Sequence, residues 1–367
     1  MDDPRPLKIC HVVLSLRPGG LENGVVNVIN GLDRSRFRSS VCCLQEKGEF
    51  VARIRDPDVE VTAMGLQPGN DLRLPLRLAA LFRRQRTDIV HTRNAESFFY
   101  GVLGARLAGV PRVVHSEHGR TFPEKRLRAL AQRWLLRFVD YSFAVSARLK
   151  EDLQNEIGVG REQFHVLYNG VDLQKFPLAA RRPERGEILI GSVGRLVKVK
   201  NYGLLLRAFA RLPAQARCRL ILIGDGPERA GLQAQAAQLA VQDRVQFAGH
   251  RDDVPRLLQD LDVFVLPSIS EGMSNTMLEA MACGATVVAS DVGGNRELVE
   301  HGASGLLFAS DDLDGLTRAL ARVVTDEAFR AQLAAAAACR VRAEFSIQAM
   351  IGRYEDMYRA VARGSAP

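Results

Sequence analysis

No uninterrupted apolar run in the 367 residues approaches the ~18 that mark a membrane-spanning helix. An integral membrane protein is therefore not expected. The six cysteines (Cys10, Cys42, Cys43, Cys218, Cys283 and Cys339) form no C-x-x-C pair, and most lie inside apolar runs. That excludes a disulfide framework and points to buried thiols in a reducing compartment. His115 and His118 lack a third ligand at a helpful spacing, so no metal site is read there. No basic segment is interleaved with stacking aromatics, which argues against a nucleic-acid partner. A complete G-x-G-x-x-G is missing too. Gly19-Gly20-x-x-x-Gly24 and Gly224-Asp-Gly226 fall short of it, and Glu46 is a poor ribose-binding acid, so a nicotinamide enzyme is disfavoured. Asp2 and Asp3 stand where an export signal carries positive charge; a cytoplasmic location is expected.

What is present is a globular composition, 47% hydrophobic and 25% charged, long enough for two domains. Lys and Arg exceed Asp and Glu by 27 to 20 in residues 1–177 but only by 23 to 22 in 178–367, so the basic character belongs to the first half. Short apolar runs alternate with helical patterns. Strands are expected at 8–16, 40–44, 59–64, 88–92, 112–116, 141–145 and 164–168, then again at 187–193, 219–223, 245–247, 263–266, 286–289 and 305–308. Consecutive apolar residues in each strand mean parallel sheets covered on both faces. The proline- and arginine-rich stretch 174–186 reads as a linker. The expected architecture is two doubly wound, Rossmann-like α/β domains facing an interdomain cleft. The first covers residues 1–177 and the second 178–345, and a terminal helix in 346–367 is expected to pack back on the first domain.

Chemistry concentrates in Leu266-Pro-Ser-Ile-Ser-Glu-Gly-Met-Ser-Asn-Thr-Met-Leu-Glu279. A buried strand ends, a polar loop follows, and Ser274 or Asn275 can cap a helix. Amides around Met273 to Thr276 would face an anion such as a diphosphate. Glu271 and Glu279 flank that position and suit hydroxyls of a ligand; the plain alternative is a capping acid and a solvated helix glutamate. Gly194, Arg195 and Lys200 follow another strand end and offer close backbone approach with fixed positive charge. Gly19 and Gly20 form a glycine turn after the first strand. Asp56-Pro-Asp58 imitates a metal-binding DxD but precedes a strand instead of ending one.

In this order, the Glu271-x7-Glu279 segment, Gly194-Arg195…Lys200, Gly224-Asp-Gly-Pro227, Val245-Gln-Phe-Ala-Gly249 and Asn169-Gly-Val-Asp172 resemble a family-4 retaining glycosyltransferase of the GT-B fold. The likeness is to sugar transferases of bacterial exopolysaccharide clusters. It implies a nucleotide-diphosphate sugar, UDP- or GDP-linked, as donor, and a carbohydrate, lipid-linked or small-molecule acceptor. Neither cofactor nor metal is implied. Glu271 would hold the donor sugar, with the amides of Gly272, Met273, Ser274 and Asn275 beside it. Glu279 would accept from the ribose, and Arg195 and Lys200 would neutralise the diphosphate with help from the Gly19-Gly20 turn. His250 and Arg251 would frame the base, and His118 would stand near the reaction centre. Met273 departs from the phenylalanine common in relatives. The rivals are a nucleotide-sugar 2-epimerase, for which no acid/base set is visible, and a catalytically dead scaffold, against which the intact glutamates and basic pair argue.

Residues 124–139 leave two readings open. Leu127, Leu130, Ala131, Trp134, Leu135 and Phe138 fall at helical spacing, and Arg120–Arg137 carries six basic residues against one acid. The segment is either a peripheral contact with an anionic membrane or an ordinary helix with a core face.

Overall fold

A computed structural model describes residues 5–119, 126–179, 186–213 and 216–365. The strands are β1 Leu7–Val13, β2 Phe37–Cys43, β3 Val61–Ala63, β4 Ile89–Arg93, β5 Arg112–Glu117, β6 Tyr141–Ala144 and β7 His165–Val166, followed by β8 Ile188–Val193, β9 Cys218–Ile223, β10 Val245–Gly249, β11 Val263–Leu266, β12 Thr286–Ser290 and β13 Leu306–Phe308. Each expected strand is present, with ends moved by a few residues. The first seven form one sheet in the order β3-β2-β1-β4-β5-β6-β7, the other six a second in the order β10-β9-β8-β11-β12-β13. The ladders are parallel. Burial is continuous along β4, β11 and β12, as helices on both faces require. In each sheet the chain departs in opposite directions from two central neighbours, β1 and β4 in one and β8 and β11 in the other. These are the switch points at which sheets of this kind bind ligands, beyond their carboxyl ends.

Two compact units result: residues 1–169 with 348–367, and Gly170–Ile347. The divisions at 177/178 and 345/346 expected from composition move because Val171 is stitched to the far end of the second unit. Its N–H donates to the Phe345 carbonyl, and its carbonyl accepts from Ile347, both at 2.9 Å. Residues 180–185 of the expected linker lie outside the described residues. The last helix, Ile347–Arg363, buries Met350, Tyr354, Met357, Tyr358 and Val361, a stripe at helical spacing. Within the first unit Tyr354 and Tyr358 pack against His91, and Tyr354 against Phe143. Among the described residues no helix is long and apolar enough to cross a membrane.

The helix Arg126–Leu135 divides its apolar stripe: Leu135 is buried, as a core face requires, while most of the stripe is exposed. It buries Ala129, Gln132 and Leu135. Leu127, Leu130 and Trp134 stand 80%, 61% and 53% exposed. Ala129 and Gln132 lie on the side of the helix opposite to Leu127, Leu130 and Trp134, with Leu135 at the edge of the buried side. Residues 124 and 125 of the segment lie outside the described residues.

Candidate functional site

In the second unit, Gly194, Arg195 and Lys200 follow β8, His250 and Arg251 follow β10, and Glu271 to Glu279 occupy the loop and helix after β11. Ser274 caps the helix Asn275–Ala282, its hydroxyl accepting from the Met277 N–H; Asn275 is the first helical residue. Gly272, Met273 and Ser274 are buried and Glu279 is half-buried one turn in. The helix N-terminus therefore opens onto the loop that carries Glu271. Glu271 is not a free acid. Its Oε1 accepts from Lys200 Nζ at 2.5 Å and from Ser268 Oγ at 2.6 Å. Ser268 is buried, and its carbonyl accepts from the Ser290 hydroxyl of β12 at 2.6 Å. Two strands thus fix the Glu271 carboxylate, and that carboxylate holds the lysine.

Two glycines are required by close approach. Gly293 has φ +52°, and a Cβ there would lie 1.7 Å from the Glu271 carbonyl oxygen. Gly224 has φ +134°, and its Cβ would lie 2.1 Å from the Gly194 carbonyl oxygen. The turn after β9 and the turn after β8 are therefore packed backbone to backbone. Gly293→Ala should cost at least ~1–2 kcal/mol for the left-handed conformation alone, and should displace Glu271 as well. A fall in both melting temperature and turnover checks this; wild-type turnover would show that the loop relaxes freely.

Arg195 is exposed beyond β8, while Lys200 sits half-buried in the pair with Glu271. His250 and Arg251, after β10, are exposed, and Arg251 is held by Asp253 through two contacts of 2.7 Å. Asp56 and Asp58 lie in a turn ahead of β3, facing Arg34 and Arg38 respectively. Among the described residues no group of three or more His, Cys, Asp or Glu is arranged to hold a metal ion.

The first unit brings together a polar cluster that sequence reading met only at His118. Gly19 caps the helix Gly20–Gly31 after β1. His118 follows β5 and is half-buried. Its N–H donates to Asn94 Oδ1 at 2.8 Å, and its Nε2 lies 3.0 Å from Ser116 Oγ and 3.4 Å from Arg93 Nη1. Ser116 in turn meets His91 Nε2 at 3.0 Å, and His91 Nδ1 meets Tyr358 Oη at 2.7 Å. A hydrogen-bonded row thus runs from the terminal helix to His118. Burial, then the Arg93 charge, holds His118, His91 and His11 well below the usual histidine range. His118 is therefore held as a neutral imidazole. On the other face of β5, His115 Nε2 pairs with the Glu117 carboxylate at 3.2 Å, joined by Gln132.

Sequence reading missed Ser268, Gly293, His91 and Arg93. The signal for Arg93 was there: a cation closing the strand-like run Ile89-Val-His-Thr. The signals for Ser268 and Gly293 were not: the Ser268 carbonyl is held by Ser290, and Gly293 meets Glu271, each across 22 residues and from a different element.

The family model described as Glycosyl transferases group 1 matches residues 178–340, and that described as Glycosyltransferase Family 4 matches residues 18–175. The chain is 29% identical over 347 residues to the UDP-Gal:alpha-D-GlcNAc-diphosphoundecaprenol alpha-1,3-galactosyltransferase of Escherichia coli, covering 88% of this chain and 89% of that one. It is 31% identical over 306 residues to the glycogen synthase of Mycobacterium tuberculosis, covering 80% and 74%. The solved structure of Anabaena Alr3699/HepE in complex with UDP and glucose superposes with a TM-score of 0.84 at 23% identity, covering 96% of this chain and all of that one.

Proposed function

Since the chain belongs to the group 1 and family 4 glycosyltransferases and has their GT-B fold, we propose that it transfers a sugar, with retention at the anomeric carbon, from a UDP- or GDP-linked donor to an acceptor hydroxyl in polysaccharide or glycolipid synthesis in the cytoplasm. The observation that carries this reading is the Lys200–Glu271–Ser268 arrangement beside the N-terminus of the helix Asn275–Ala282. Arg195, Lys200 and the first-turn amides suit the diphosphate. Glu271 suits the sugar hydroxyls, Glu279 the ribose, and the loop at His250 and Arg251 the base. Donor binding would pull Lys200 from Glu271 to a phosphate oxygen and free that carboxylate for the sugar.

In the first unit, the neutral His118 would accept or donate one hydrogen bond at the reacting sugar. Retention on one face needs no protein nucleophile. The anomeric carbon–oxygen bond breaks toward the diphosphate, and the departing phosphate oxygen takes the proton of the incoming hydroxyl. The protein contributes positioning and charge stabilisation. The experiment is release of free nucleotide diphosphate from a panel of UDP- and GDP-sugars with an acceptor extract. A donor present at one hundred times its Kd also adds ~2.7 kcal/mol of stability, which picks it out in a thermal-shift screen. Epimerised donor without release, or no binding to any donor, would sink the reading.

Turnover is expected to need no divalent metal, because Arg195 and Lys200 supply the positive charge that the leaving diphosphate requires. Activity should persist in excess EDTA; complete loss restored by Mg2+ or Mn2+ overturns this.

The exposed Leu127, Leu130 and Trp134, with Arg126, Arg133 and Arg137 exposed on the same segment, support a peripheral contact with an anionic membrane. The first unit should pellet with vesicles containing anionic lipid at low salt, and Trp134→Ala with Leu127→Ala should release it. Equal pelleting with neutral vesicles would end the idea.

A further inference from the structure

Arg93 is the last residue of β4 and is only 2% exposed. Its side chain lies on the face of the sheet that carries His91 and meets the terminal helix. A guanidinium has five N–H donors and keeps its charge at any physiological pH. Here those donors meet only neutral groups, among them the Tyr358 hydroxyl. Nη1 approaches His118 Nε2 and Tyr354 Oη, and Nη2 approaches His11 Nδ1, each at 3.4 Å. Those are long contacts. Nε has no partner, nor does His11 Nε2 beside it. The guanidinium also lies over the Tyr354 ring, 5.6 Å from its centroid.

No carboxylate pairs with Arg93 among the described residues. The buried acid nearest in sequence order along the sheet, Glu117, is engaged by His115 and Gln132 on the opposite face of β5. Every polar neighbour of Arg93 is neutral, since the three histidines of the cluster resist protonation and the Tyr358 hydroxyl is pushed up by burial. A buried charge without a counter-charge is unfavourable, and a fold that keeps one has a reason to. Its position supplies the reason. Arg93 closes β4 at the β1/β4 switch point, where parallel sheets receive ligands.

We propose that Arg93 anchors an oxyanion site in the first unit, and that this site receives a phosphoryl group carried by the acceptor, entering past the half-buried His118. The planar fork matches two oxygens of a phosphoryl group, and the ligand brings the missing negative charge. Calling the ligand an acceptor rests on the glycosyltransferase reading above; the binding test does not require turnover, so the two can fail separately.

Inorganic pyrophosphate is the probe for the first unit, titrated calorimetrically into full-length Arg195→Ala/Lys200→Ala, in which the two cationic phosphate contacts of the second unit are removed. The helix amides of the second unit remain in that variant, so the Arg93-dependent part is what is read: adding Arg93→Met should weaken pyrophosphate about 10- to 150-fold, the effect of a lost charge-assisted hydrogen bond. Arg93→Lys should recover only part of it, because an ammonium lacks the fork. In the otherwise unchanged protein Arg93→Met should leave UDP affinity within about twofold, and should keep or raise the melting temperature, since it removes an uncompensated charge. UDP weakened as strongly as pyrophosphate would assign the phosphoryl group to the donor and overturn the acceptor assignment. Pyrophosphate binding that is absent from the double variant, or unchanged by Arg93→Met, overturns the site altogether. In the second case a lowered melting temperature would show Arg93 to be a packing residue.

Discussion

Glu279→Ala should weaken both free nucleotide diphosphate and intact donor by about 10- to 150-fold, whereas Glu271→Ala should leave nucleotide affinity intact and lower kcat by a comparable factor. The two glutamates share one loop-and-helix segment but, on the proposed reading, would face different parts of the donor. A ribose contact from Glu279 is the same in donor, product and transition state. Its loss, roughly 1.5–3 kcal/mol for a charge-assisted hydrogen bond, appears in every binding constant alike. Glu271 would touch the sugar, whose ring flattens and gains charge as the bond breaks, so its loss is felt most in the transition state. The structure sharpens the second half. Glu271 holds Lys200 at 2.5 Å in the free protein, so the nucleotide must compete with that carboxylate for the ammonium. Glu271→Ala frees Lys200, and nucleotide affinity should hold steady or rise. Calorimetry with the product nucleotide alongside kcat for each variant decides it. Nucleotide affinity lost in Glu271→Ala and kept in Glu279→Ala would reverse the roles.

Acid should unfold the first unit steeply. His11, His91 and His118 all have their charged form disfavoured in the folded state, by burial first and by the Arg93 charge second. In the unfolded chain each titrates near the ordinary value of about 6.5. Below that pH the unfolded chain therefore binds more protons than the folded one. Their neutral-state stability is fully present above about pH 7 and is lost as the pH falls through 6.5 toward the lowered folded values. The limiting slope is about 1.4 kcal/mol per pH unit for each histidine, so roughly 4 kcal/mol for three. That is a large share of the ~5–15 kcal/mol by which a domain is stable. Trp134, the only tryptophan, lies in the first unit and reports its unfolding by fluorescence. The urea midpoint should fall sharply between pH 7.5 and 5.5, and His11→Phe should remove about one third of the slope. A midpoint that does not move over that range would show that the histidines protonate without opposing the fold.

The strands were legible because each is a short run of consecutive apolar residues bounded by turn residues, and covered parallel strands demand that pattern. Ser274 was legible as a cap candidate because capping is a local matter of one hydroxyl and an amide three residues on. The stripe of the helix Arg126–Leu135 was not. Its spacing is that of a buried face, yet Leu127, Leu130 and Trp134 face outward while Ala129 and Gln132 are buried. Periodicity reports that a helix has two faces; which one finds a partner depends on elements far along the chain. Val171 shows the same limit, since only the ladder to Phe345 and Ile347 draws it into the second unit.

By itself the sequence determined the fold class, the number of strands, and the chemistry available at the loop carrying Glu271 and the turn carrying Arg195 and Lys200, because each depends on neighbours within about ten residues. Tertiary structure decided the rest. It set which carboxylate holds Lys200, why Gly293 must be glycine, and that the terminal helix lends Tyr354 and Tyr358 to a cluster with His91 and Arg93. Those outcomes join residues 22 to 267 positions apart. No local propensity encodes such pairings. They follow from the strand order, which places β1, β4 and β5 side by side and the terminal helix across their face, and so encloses a charged guanidinium among neutral rings.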